Sequence, residues 1–344
     1  MITSTEQRIQ ALSHSGAWGT VTLHELLAEH ASNRPLSLAV KDQPNREELT
    51  GDKPLALTWA ELDLASEALA LQWQGIGIKP GDRLLVQLPN VVELLVIYYA
   101  ASKSGAIVSP VPVQYGSHEL QMAAKTLQPA AFITLEQFRG NSLAAAARLA
   151  LPAIPVLTFG SELHIDICST GQRGDRPAIG ANHILSICWT SGTTGTPKGV
   201  PRSHNMWLAT GRCSIAAGGY TSSDILLNPF PLVNMAALGG FLFPAALLGC
   251  AIVLHHPLDP PLFLQQMQDE RVTFTIAPPA LLNQLAKSPG MWRQFDFSAL
   301  RNIGSGSAPL APWMIATFSQ DFGKEVVNFY GSNEGISLFA TPET

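Results

Sequence analysis

The stretch Ile187-Cys-Trp-Thr-Ser-Gly-Thr-Thr-Gly-Thr-Pro-Lys-Gly-Val200 predicts where a buried strand runs into a ligand site. Residues 184–189 are apolar apart from Ser186, a pattern typical of a strand that is buried on both faces. The strand ends in hydroxyl side chains and glycines, and Lys198 follows as a single cation. Glycines let backbone N–H groups approach an anion, hydroxyls add donors, and lysine adds a compact positive charge. The stretch therefore favours a polyphosphate site over a Ser/Thr/Gly-rich surface turn.

This loop differs from a Walker A loop, which ends in Gly-Lys followed by Ser or Thr. Here Pro197 precedes Lys198, and Gly199 follows it. The sequence thus indicates a phosphate-binding loop of another kind, whose type has to be decided from the rest of the chain.

Length and composition indicate a well-buried globular protein of about two domains. The chain has 344 residues, of which 46% are hydrophobic and 14% charged, and these values argue against disorder. The net charge of −5 and the lack of any Lys/Arg-rich run give no electrostatic case for a nucleic-acid partner. The four cysteines have no Cys-x-x-Cys spacing. We therefore expect neither a disulfide framework nor a zinc site, and a reducing, cytoplasmic location fits.

One uncharged segment, residues 236–254, is nearly long enough to span a bilayer. Helix-breaking residues interrupt it at four positions, Gly239, Gly240, Pro244 and Gly249. Its end has the apolar character of a separate strand. We therefore predict a buried helix followed by a buried strand, and no membrane span. The polar N-terminus also lacks the apolar region of a signal peptide.

Helices and strands are predicted to alternate along the chain. Thr22 and Thr58, each followed three residues later by a glutamate, form two capping boxes that begin helices. In the first half, apolar strands are predicted at residues 84–88, 106–109 and 131–135. In the second half they are predicted at residues 184–189, 225–227, 251–254, 273–276, 300–303 and 325–329. Apolar strands that alternate with helices indicate a parallel sheet covered on both faces.

The sequence therefore predicts an α/β fold with two similar subdomains of mostly parallel sheet flanked by helices. We place the first subdomain at residues 1–182 and the second, with the phosphate loop, at residues 183–344. The Gly- and Pro-containing segment 161–182 is the predicted connection. Residues 42–53 are polar and rich in turn formers, so we expect them to form an exposed loop.

Ligands of open α/β sheets collect at the carboxyl ends of the strands. Four loops of unusual composition follow predicted strands and are therefore candidates for one site. They are the phosphate loop, Asn228-Pro-Phe-Pro-Leu-Val-Asn234, Gly304-Ser-Gly-Ser-Ala-Pro309 and Tyr330-Gly-Ser-Asn-Glu-Gly335.

Two of these loops predict a specific chemistry. Gly304-x-Gly306-x-x-Pro309 nearly matches a dinucleotide fingerprint but lies late in the chain. It indicates either a glycine platform for a flat base or only a tight turn. Glu334 follows a strand and stands between two glycines, where a carboxylate can hold a Mg²⁺ that bridges phosphates. Alone it would be an ordinary solvated acid, but the neighbouring phosphate loop favours a metal ligand.

Thr190-Ser-Gly-Thr-Thr-Gly-Thr-Pro-Lys-Gly199 resembles the signature loop of the adenylate-forming superfamily. That group contains acyl- and aryl-CoA synthetases, nonribosomal-peptide adenylation domains and luciferases. The segment 304–309 is similar to its adenine-binding loop, and Tyr330-Gly-Ser-Asn-Glu334 resembles its Tyr-Gly-x-Thr-Glu motif. Three upstream segments, 57–62, 81–90 and 104–110, also fall into its pattern. The resemblance runs from about Thr20 to the last residue.

The resemblance implies a two-step enzyme. A carboxylate attacks the α-phosphate of ATP, which gives an acyl-adenylate and pyrophosphate. A thiol, either that of coenzyme A or the phosphopantetheine of a carrier protein, then takes the acyl group. Transfer at phosphorus needs positioning and charge neutralisation more than covalent help. The implied cofactors are therefore ATP, Mg²⁺ and one of these thiols.

The resemblance also implies roles for individual residues. The implied catalytic residues are Lys198, Thr190 and Glu334. The implied ligands of Mg²⁺ are Glu334 and Thr190. The residues implied around the β- and γ-phosphates are Thr190, Ser191, Gly192, Thr193, Thr194, Gly195 and Lys198. The other implied nucleotide-binding residues lie in the adenine-binding loop and in the segment that resembles the Tyr-Gly-x-Thr-Glu motif. They are Gly306, Ser307, Ala308, Pro309, Tyr330, Gly331, Ser332, Asn333 and Glu334.

Three positions depart from or qualify the family's pattern. Asn333 stands where the family usually has a threonine that contacts the α-phosphate, and its amide can still donate a hydrogen bond. Asn234 stands where the family often has a histidine, so gating between the acid and ATP sites is expected to differ. His204 follows the phosphate loop as in the family, and we expect a structural role for it.

The acid pocket is expected beside the apolar helix that starts near Asn234. The predicted lining is Asn234, Met235, Ala236, Gly239, Gly240, Ala277, Pro278, Gly304 and Ser305. Neither a placed aspartate for an amino group nor a cation for a second carboxylate stands out. A hydrophobic carboxylic acid, aryl or fatty, therefore fits best.

The family continues beyond the Tyr-Gly-x-Thr-Glu motif with a ribose-binding aspartate and a mobile C-terminal domain that carries a lysine. We therefore expect this chain to be an N-terminal portion without that domain, which binds ATP weakly and turns over poorly. Two other functions stay open. One is a nonribosomal-peptide or polyketide loading domain that delivers to a carrier protein, and the other is a non-catalytic nucleotide-binding protein.

Overall fold

The structure, a computed structural model, describes residues 4–168, 177–190, 198–335 and 337–340. In the first part of the chain its helices are α1 (Glu6–His14), α2 (Leu23–Asn33), α3 (Arg46–Thr50), α4 (Trp59–Gly75), α5 (Val92–Ser104), α6 (Ser117–Leu127) and α7 (Leu143–Ala150). The strands there are β1 (Leu38–Lys41), β2 (Ala56–Thr58), β3 (Arg83–Gln87), β4 (Ile107–Pro110), β5 (Ala131–Thr134), β6 (Gln137–Phe138), β7 (Asn141–Ser142) and β8 (Val156–Thr158).

The second part of the chain continues the alternation. Its strands are β9 (Ile184–Thr190), β10 (Lys198–Ser203), β11 (Ile225–Asn228), β12 (Ala251–Leu254), β13 (Phe274–Ala277), β14 (Asn302–Gly306), β15 (Glu325–Gly331) and β16 (Ser337–Ala340). Its helices are α8 (His204–Gly218), α9 (Met235–Ala237), a π-helical turn (Leu238–Leu242), α10 (Phe243–Leu248), α11 (Pro260–Asp269), α12 (Pro279–Lys287), α13 (Pro289–Trp292) and α14 (Pro312–Phe322).

Two large sheets organise these elements. The first has the strand order β16-β15-β14-β13-β11-β12-β1-β2, and the second has the order β10-β9-β4-β3-β5-β8. Inner pairs are parallel, whereas the edge pairs β15–β16, β1–β2 and β9–β10 are antiparallel. The predicted α/β architecture of mostly parallel sheets flanked by helices is confirmed. Strands β2, β6, β7, β10 and β16 were not foreseen, because short strands and edge strands carry little apolar pattern.

Strand membership crosses residue 182 in both directions. The early strands β1 and β2 complete the sheet that contains β11 to β16, and the later strands β9 and β10 complete the sheet that contains β3, β4, β5 and β8. The division of the chain at residues 182 and 183 stays a prediction. Part of the predicted connection, residues 169–176, lies outside the described residues.

An apolar core joins the two sheets. Helix α5 is buried over nearly its whole length and packs against α4, α2, β4 and β9. The uncharged segment 236–254 is also buried, and it forms α9, the π-helical turn, α10 and then strand β12. The predicted buried helix followed by a buried strand is thus confirmed. No helix within the described part of the chain is long and apolar enough to cross a membrane.

The expectation of an exposed loop at residues 42–53 is wrong. Asp42 and Arg46 are buried there, and Arg46 donates to the carboxylates of Asp42 and Glu93, each at 2.5 Å. The carboxylate of Asp42 also accepts from the backbone N–H groups of Val92 and Leu55 at 2.8 and 2.9 Å. A polar run in the sequence predicts solvent exposure. Here the charge of Arg46 is paired with Glu93, which lies 47 positions further along the chain, so the segment can be buried.

The start of helix α8 is tied to helix α2 through His204. This side chain is buried, and its Nδ1 accepts a hydrogen bond from the backbone N–H of Leu23 at 3.1 Å. Burial, with a smaller contribution from His24 and His183, lowers the pKa of His204 to about 3. The histidine is therefore neutral in the folded protein, and its contacts support the structural role expected from the sequence.

We predict that His204 makes the free energy of unfolding depend on pH below pH 6.5. The unfolded chain binds a proton near the ordinary pKa of 6.5, whereas folded His204 does not until about pH 3. Stability from neutral His204 is thus complete above pH 6.5 and is lost as the pH falls towards 3, at up to about 1.4 kcal/mol per pH unit. Urea unfolding of His204→Asn between pH 7 and pH 4 should show a shallower pH slope than the wild type. The exposed-site control His118→Asn should keep the wild-type slope, and an equal slope in both variants would contradict the assignment.

Candidate active site

The predicted phosphate loop joins two antiparallel strands. Thr190 ends β9 and lies directly opposite Lys198, the first residue of β10. Thr190 is half-buried and Lys198 is exposed. The predicted phosphate ligands Ser191, Gly192, Thr193, Thr194 and Gly195 lie outside the described residues. The paired strand ends therefore position both flanks of the loop at one edge of the second sheet.

The predicted adenine platform lies at the carboxyl end of β14. Gly306 is buried, and a Cβ atom at this position would lie 2.0 Å from the carbonyl oxygen of Phe329 on β15. Only glycine can therefore fill it without moving the neighbouring strand. Ser307, Ala308 and Pro309 follow on the surface. Ser307 has φ of 68°, a conformation that is strained for a non-glycine residue and is often found at functional sites.

Strand β15 places the fourth loop beside this platform. Gly306 is in register with Phe329, so the next residue, Tyr330, projects at the same edge and is 62% exposed. Gly331 ends the strand, and the residues that follow it are Ser332, Asn333 and Glu334. An exposed aromatic ring next to a backbone platform can stack on a flat base.

Asn333 connects three of the four candidate loops. Its Nδ2 donates to the carbonyl oxygen of Trp189 on β9, and its Oδ1 accepts from the backbone N–H of Met235, both at 2.9 Å. One amide side chain thus joins the end of the second sheet, the start of α9 and the loop after β15. A threonine hydroxyl can also donate and accept, but it does both through a single oxygen, whereas the amide uses two separate atoms for the two partners. The predicted contact of Asn333 with an α-phosphate stays a prediction.

Residues from the first half of the chain hold the loop 228–234 in place. The amide of Asn90 donates to the carbonyl oxygen of Phe230 at 2.8 Å and accepts from the N–H of Leu232 at 2.9 Å. The hydroxyl of Tyr98 donates to the carbonyl oxygen of Leu232 at 3.0 Å. These two positioning residues were not predicted, since nothing in the local sequence connects them to a loop more than 130 positions away.

An apolar cavity of about 100 Å³ lies between α8, α9, the π-helical turn and the ends of β13, β14 and β15. The residues that line it are Thr210, Ser214, Phe230, Met235, Ala236, Gly239, Gly240, Ile276, Gly306, Ser307, Phe329, Tyr330 and Gly331. Predicted acid-pocket residues and predicted nucleotide-site residues thus share one cavity. No charged side chain lines it among the described residues.

Several predicted acid-pocket residues have other positions. Asn234, Ala277, Pro278, Gly304 and Ser305 are not among the described lining residues of this cavity. The side chain of Asn234 caps α9 by accepting from the N–H of Ala237 at 3.3 Å. The hydroxyl of Ser305 donates to the carbonyl oxygen of Ala277 at 2.8 Å. Their role in acid binding stays a prediction.

The lining residues that the sequence analysis missed are Thr210, Ser214, Phe230, Ile276 and Phe329. Thr210 and Ser214 are four positions apart and share one face of α8, but only the packed structure shows what that face meets. The two glycines of the π-helical turn are closely packed. An added Cβ would lie 2.5 Å from Thr210 Cγ2 at Gly239 and 3.1 Å from Ile276 Cδ1 at Gly240.

A protein cage for a metal ion is not present among the described residues, since no group of three or more His, Cys, Asp or Glu side chains forms there. Glu334 is exposed at the end of the fourth loop. A lone carboxylate fits Mg²⁺ when phosphate oxygens and water supply the other ligands. Binding of Mg²⁺ by Glu334 and Thr190 stays a prediction.

The sequence pattern of AMP-binding enzymes matches residues 36–344. The chain belongs to the AMP-binding enzyme family. The predicted membership of the adenylate-forming superfamily is therefore confirmed. This AMP-binding enzyme is 31% identical over 279 residues to a feruloyl-CoA synthase from Amycolatopsis, a match that covers 81% of the chain and 55% of the relative. It is 28% identical over 359 residues to the medium-chain fatty-acid–CoA ligase of Escherichia coli, a match that covers 97% of the chain and 59% of that relative.

Solved structures show the same fold. The apo structure of MbtA from Mycobacterium smegmatis matches with a TM-score of 0.83 at 24% identity, over 99% of this chain and 62% of that one. A long-chain-fatty-acid–CoA ligase from Archaeoglobus fulgidus matches with a TM-score of 0.82 at 19% identity, over 95% and 67%. The AMP-binding enzyme therefore spans between half and two thirds of the length of the curated relatives named above.

We predict that Asn333→Ala destabilises the AMP-binding enzyme by about 1–3 kcal/mol, because it leaves the Trp189 carbonyl and the Met235 N–H without their partner. Asn333→Asp should cost at least as much, since a carboxylate can accept from Met235 but repels the Trp189 carbonyl. Denaturant unfolding measures both effects. Asn328→Ala, at an exposed position of β15, is the matched control and should lie within about 0.5 kcal/mol of wild type. A loss at Asn333 no larger than at Asn328 would contradict the bridging role.

Proposed function

We propose that this chain supplies the N-terminal part of an AMP-forming acid–thiol ligase, which activates a hydrophobic carboxylic acid with ATP and transfers it to a thiol. The observation that carries the proposal is the shared cavity. Its apolar wall contains Met235 and Gly240, and its other wall contains Gly306, Ser307 and Tyr330. An acid held by the first wall would thus meet a nucleotide held by the second.

The residues of the chain have defined roles in this proposal. An oxygen of the acid forms a bond to the α-phosphorus of ATP while the bond to the leaving pyrophosphate breaks. Lys198 and Thr190 flank the loop that would hold the β- and γ-phosphates, and the lysine balances charge on the leaving group. Glu334 and Thr190 would hold Mg²⁺, which would supply further charge neutralisation. Tyr330 and the backbone of Gly306 would orient the adenine.

The size of the cavity limits the length of the acid. The apolar cavity has about 100 Å³, which is less than the volume of about 150 Å³ of an apolar cavity that binds benzene. A small acid therefore fits better than a long acyl chain, which would need space outside the cavity. Within the predicted aryl or fatty acids, we therefore favour a single-ring aryl acid or a short-chain acid.

The acceptor in this proposal is coenzyme A, because the two curated relatives compared above are named as coenzyme A ligases. In the second step the thiolate sulfur attacks the acyl carbon, and the bond to AMP breaks. A carrier-protein phosphopantetheine presents the same thiol and stays the alternative acceptor. We propose a cytoplasmic location, where both ATP and coenzyme A are available.

We predict acid-dependent exchange of labelled pyrophosphate into ATP by the protein that contains this chain. Exchange should be faster with benzoate, cinnamate and hexanoate than with palmitate. Lys198→Met should reduce the rate by about 10²–10³-fold, as expected for removal of one electrostatic contact to the transferring phosphates. Lys125→Met, at an exposed position of α6, is the control and should keep the wild-type rate. ATP binding without exchange for any acid would instead support the non-catalytic alternative.

We predict that Gly240 and Ile276 set the length of acid that the cavity accepts. Gly240→Ala adds a methyl group 3.1 Å from Ile276 Cδ1 and should lower kcat/KM for cinnamate more than for benzoate. Ile276→Val removes one methyl group and should have the opposite effect. One methylene in an apolar pocket is worth about 10–200-fold in specificity. Exchange rates measured with each acid give the ratio of kcat/KM for cinnamate to that for benzoate. An unchanged ratio in both variants would indicate that the acid binds outside this cavity.

A further inference from the structure

A hydroxyl group in the wall of the apolar cavity has no part in the proposed reaction. Ser214 on α8 lines that cavity and is 3% exposed. Its Oγ has no hydrogen-bond partner among the described residues, yet this oxygen is not fully enclosed, in contrast to the unpaired Nε and Nη1 of Arg202. The small surface that Ser214 leaves free therefore faces the cavity.

The polar groups next to Ser214 already have partners. Thr210 lies one turn earlier on α8, and its hydroxyl donates to a backbone carbonyl oxygen of the same helix at 3.0 Å and accepts from Arg202 at 2.9 Å. The carbonyl oxygen of Gly240 accepts from the hydroxyl of Tyr220 at 3.3 Å. Within the described lining of this part of the cavity, Ser214 thus offers the hydroxyl that a bound acid can pair with.

The direction of α8 places Ser214 at the end of the cavity away from the nucleotide residues. Gly306 and Tyr330 lie at the carboxyl ends of the parallel strands β14 and β15. The helix runs towards the amino ends of this sheet, because the ring of Tyr220, two residues after α8, lies 4.5 Å from the ring of Phe274 at the start of β13. Ser214 is among the last five residues of α8, so it lies deeper in the cavity than Gly306 and Tyr330.

The wall around Ser214 favours a flat, uncharged ligand. Phe230 and Phe329 contribute aromatic rings, and Ile276 contributes an alkyl side chain. The glycines of the π-helical turn add backbone surface without side chains. An aromatic ring packs well against such surfaces. A charged substituent on that ring would have no counter-ion among the described lining residues, whereas a neutral hydroxyl can pair with Ser214.

We propose that Ser214 selects an aromatic acid that carries a hydroxyl group on its ring, at the end opposite the carboxylate. This inference rests on the proposed function, since it names the class of acid that the same cavity binds. A serine hydroxyl both donates and accepts, so it can pair with a ring hydroxyl in either direction. An unsubstituted ring would displace water from Ser214 without replacing its hydrogen bond, and this weakens binding.

Pyrophosphate exchange with benzoate, 2-hydroxybenzoate and 4-hydroxybenzoate tests this selection. Wild type should favour 4-hydroxybenzoate over benzoate by about 3–10-fold in kcat/KM, as expected for one neutral hydrogen bond. The hydroxyl of 2-hydroxybenzoate lies beside the carboxylate and should give no such gain. Ser214→Ala should bring the ratio of 4-hydroxybenzoate to benzoate close to one, because it removes the partner and leaves the apolar wall in place.

Ser66→Ala is the matched control. Ser66 is buried in α4, and its hydroxyl donates to the carbonyl oxygen of Asp63 at 3.1 Å, so this variant should keep the wild-type ratio. Titration calorimetry with the same acids measures the selection without turnover, and the ratio of the dissociation constants should follow the same pattern.

The two measurements distinguish this inference from the proposed function. Selective binding that Ser214→Ala abolishes, without exchange for any acid, would support the role of Ser214 and count against the ligase reaction. Exchange with the same acid ratio in wild type and Ser214→Ala would leave the ligase reaction standing and overturn the role of Ser214. A preference for 2-hydroxybenzoate, or no binding of 4-hydroxybenzoate, would overturn it as well.

Discussion

The candidate site depends on one amide side chain. Asn333 accepts from the start of α9 and donates to the end of β9, so it holds two sheets and the loop after β15 in a fixed relation. The two hydrogen bonds join backbone groups that are far apart in sequence and would otherwise need other partners at this edge. The flanks of the phosphate loop and the exposed ring of Tyr330 are held by the strand pairs next to this junction.

Close backbone packing determines the shape of the pocket that this junction organises. Gly306 lets β14 approach the Phe329 carbonyl, and the two glycines of the π-helical turn let that turn approach Thr210 and Ile276. The result is a small apolar cavity that opens beside the nucleotide residues. An added methyl group at any of these glycines would meet a neighbouring atom in this packed wall.

Two buried arginines in this fold have different kinds of partner. Arg46 lies between the carboxylates of Asp42 and Glu93, so its charge is paired within the protein and stabilises the junction of the sheets. Arg202 is held by a ring and two neutral oxygens, without a carboxylate among the described residues. The second arrangement leaves the buried Nε and Nη1 of Arg202 without a hydrogen-bond partner among the described residues.

The sequence by itself determined the family, the alternation of helices and strands, and the loops that carry the chemistry, because these depend on local patterns. The capping boxes show this: Glu25 and Glu61 accept from the N–H groups of Thr22 and Thr58 at 2.7 and 2.8 Å. Only the tertiary structure decided which residues meet. The exchange of strands between the sheets, the bridge of Asn333 and the hydrogen bonds of Asn90 to the loop 228–234 all join residues across long stretches of chain. Side-chain partners at such distances are set by packing, and periodicity in the sequence carries no information about them.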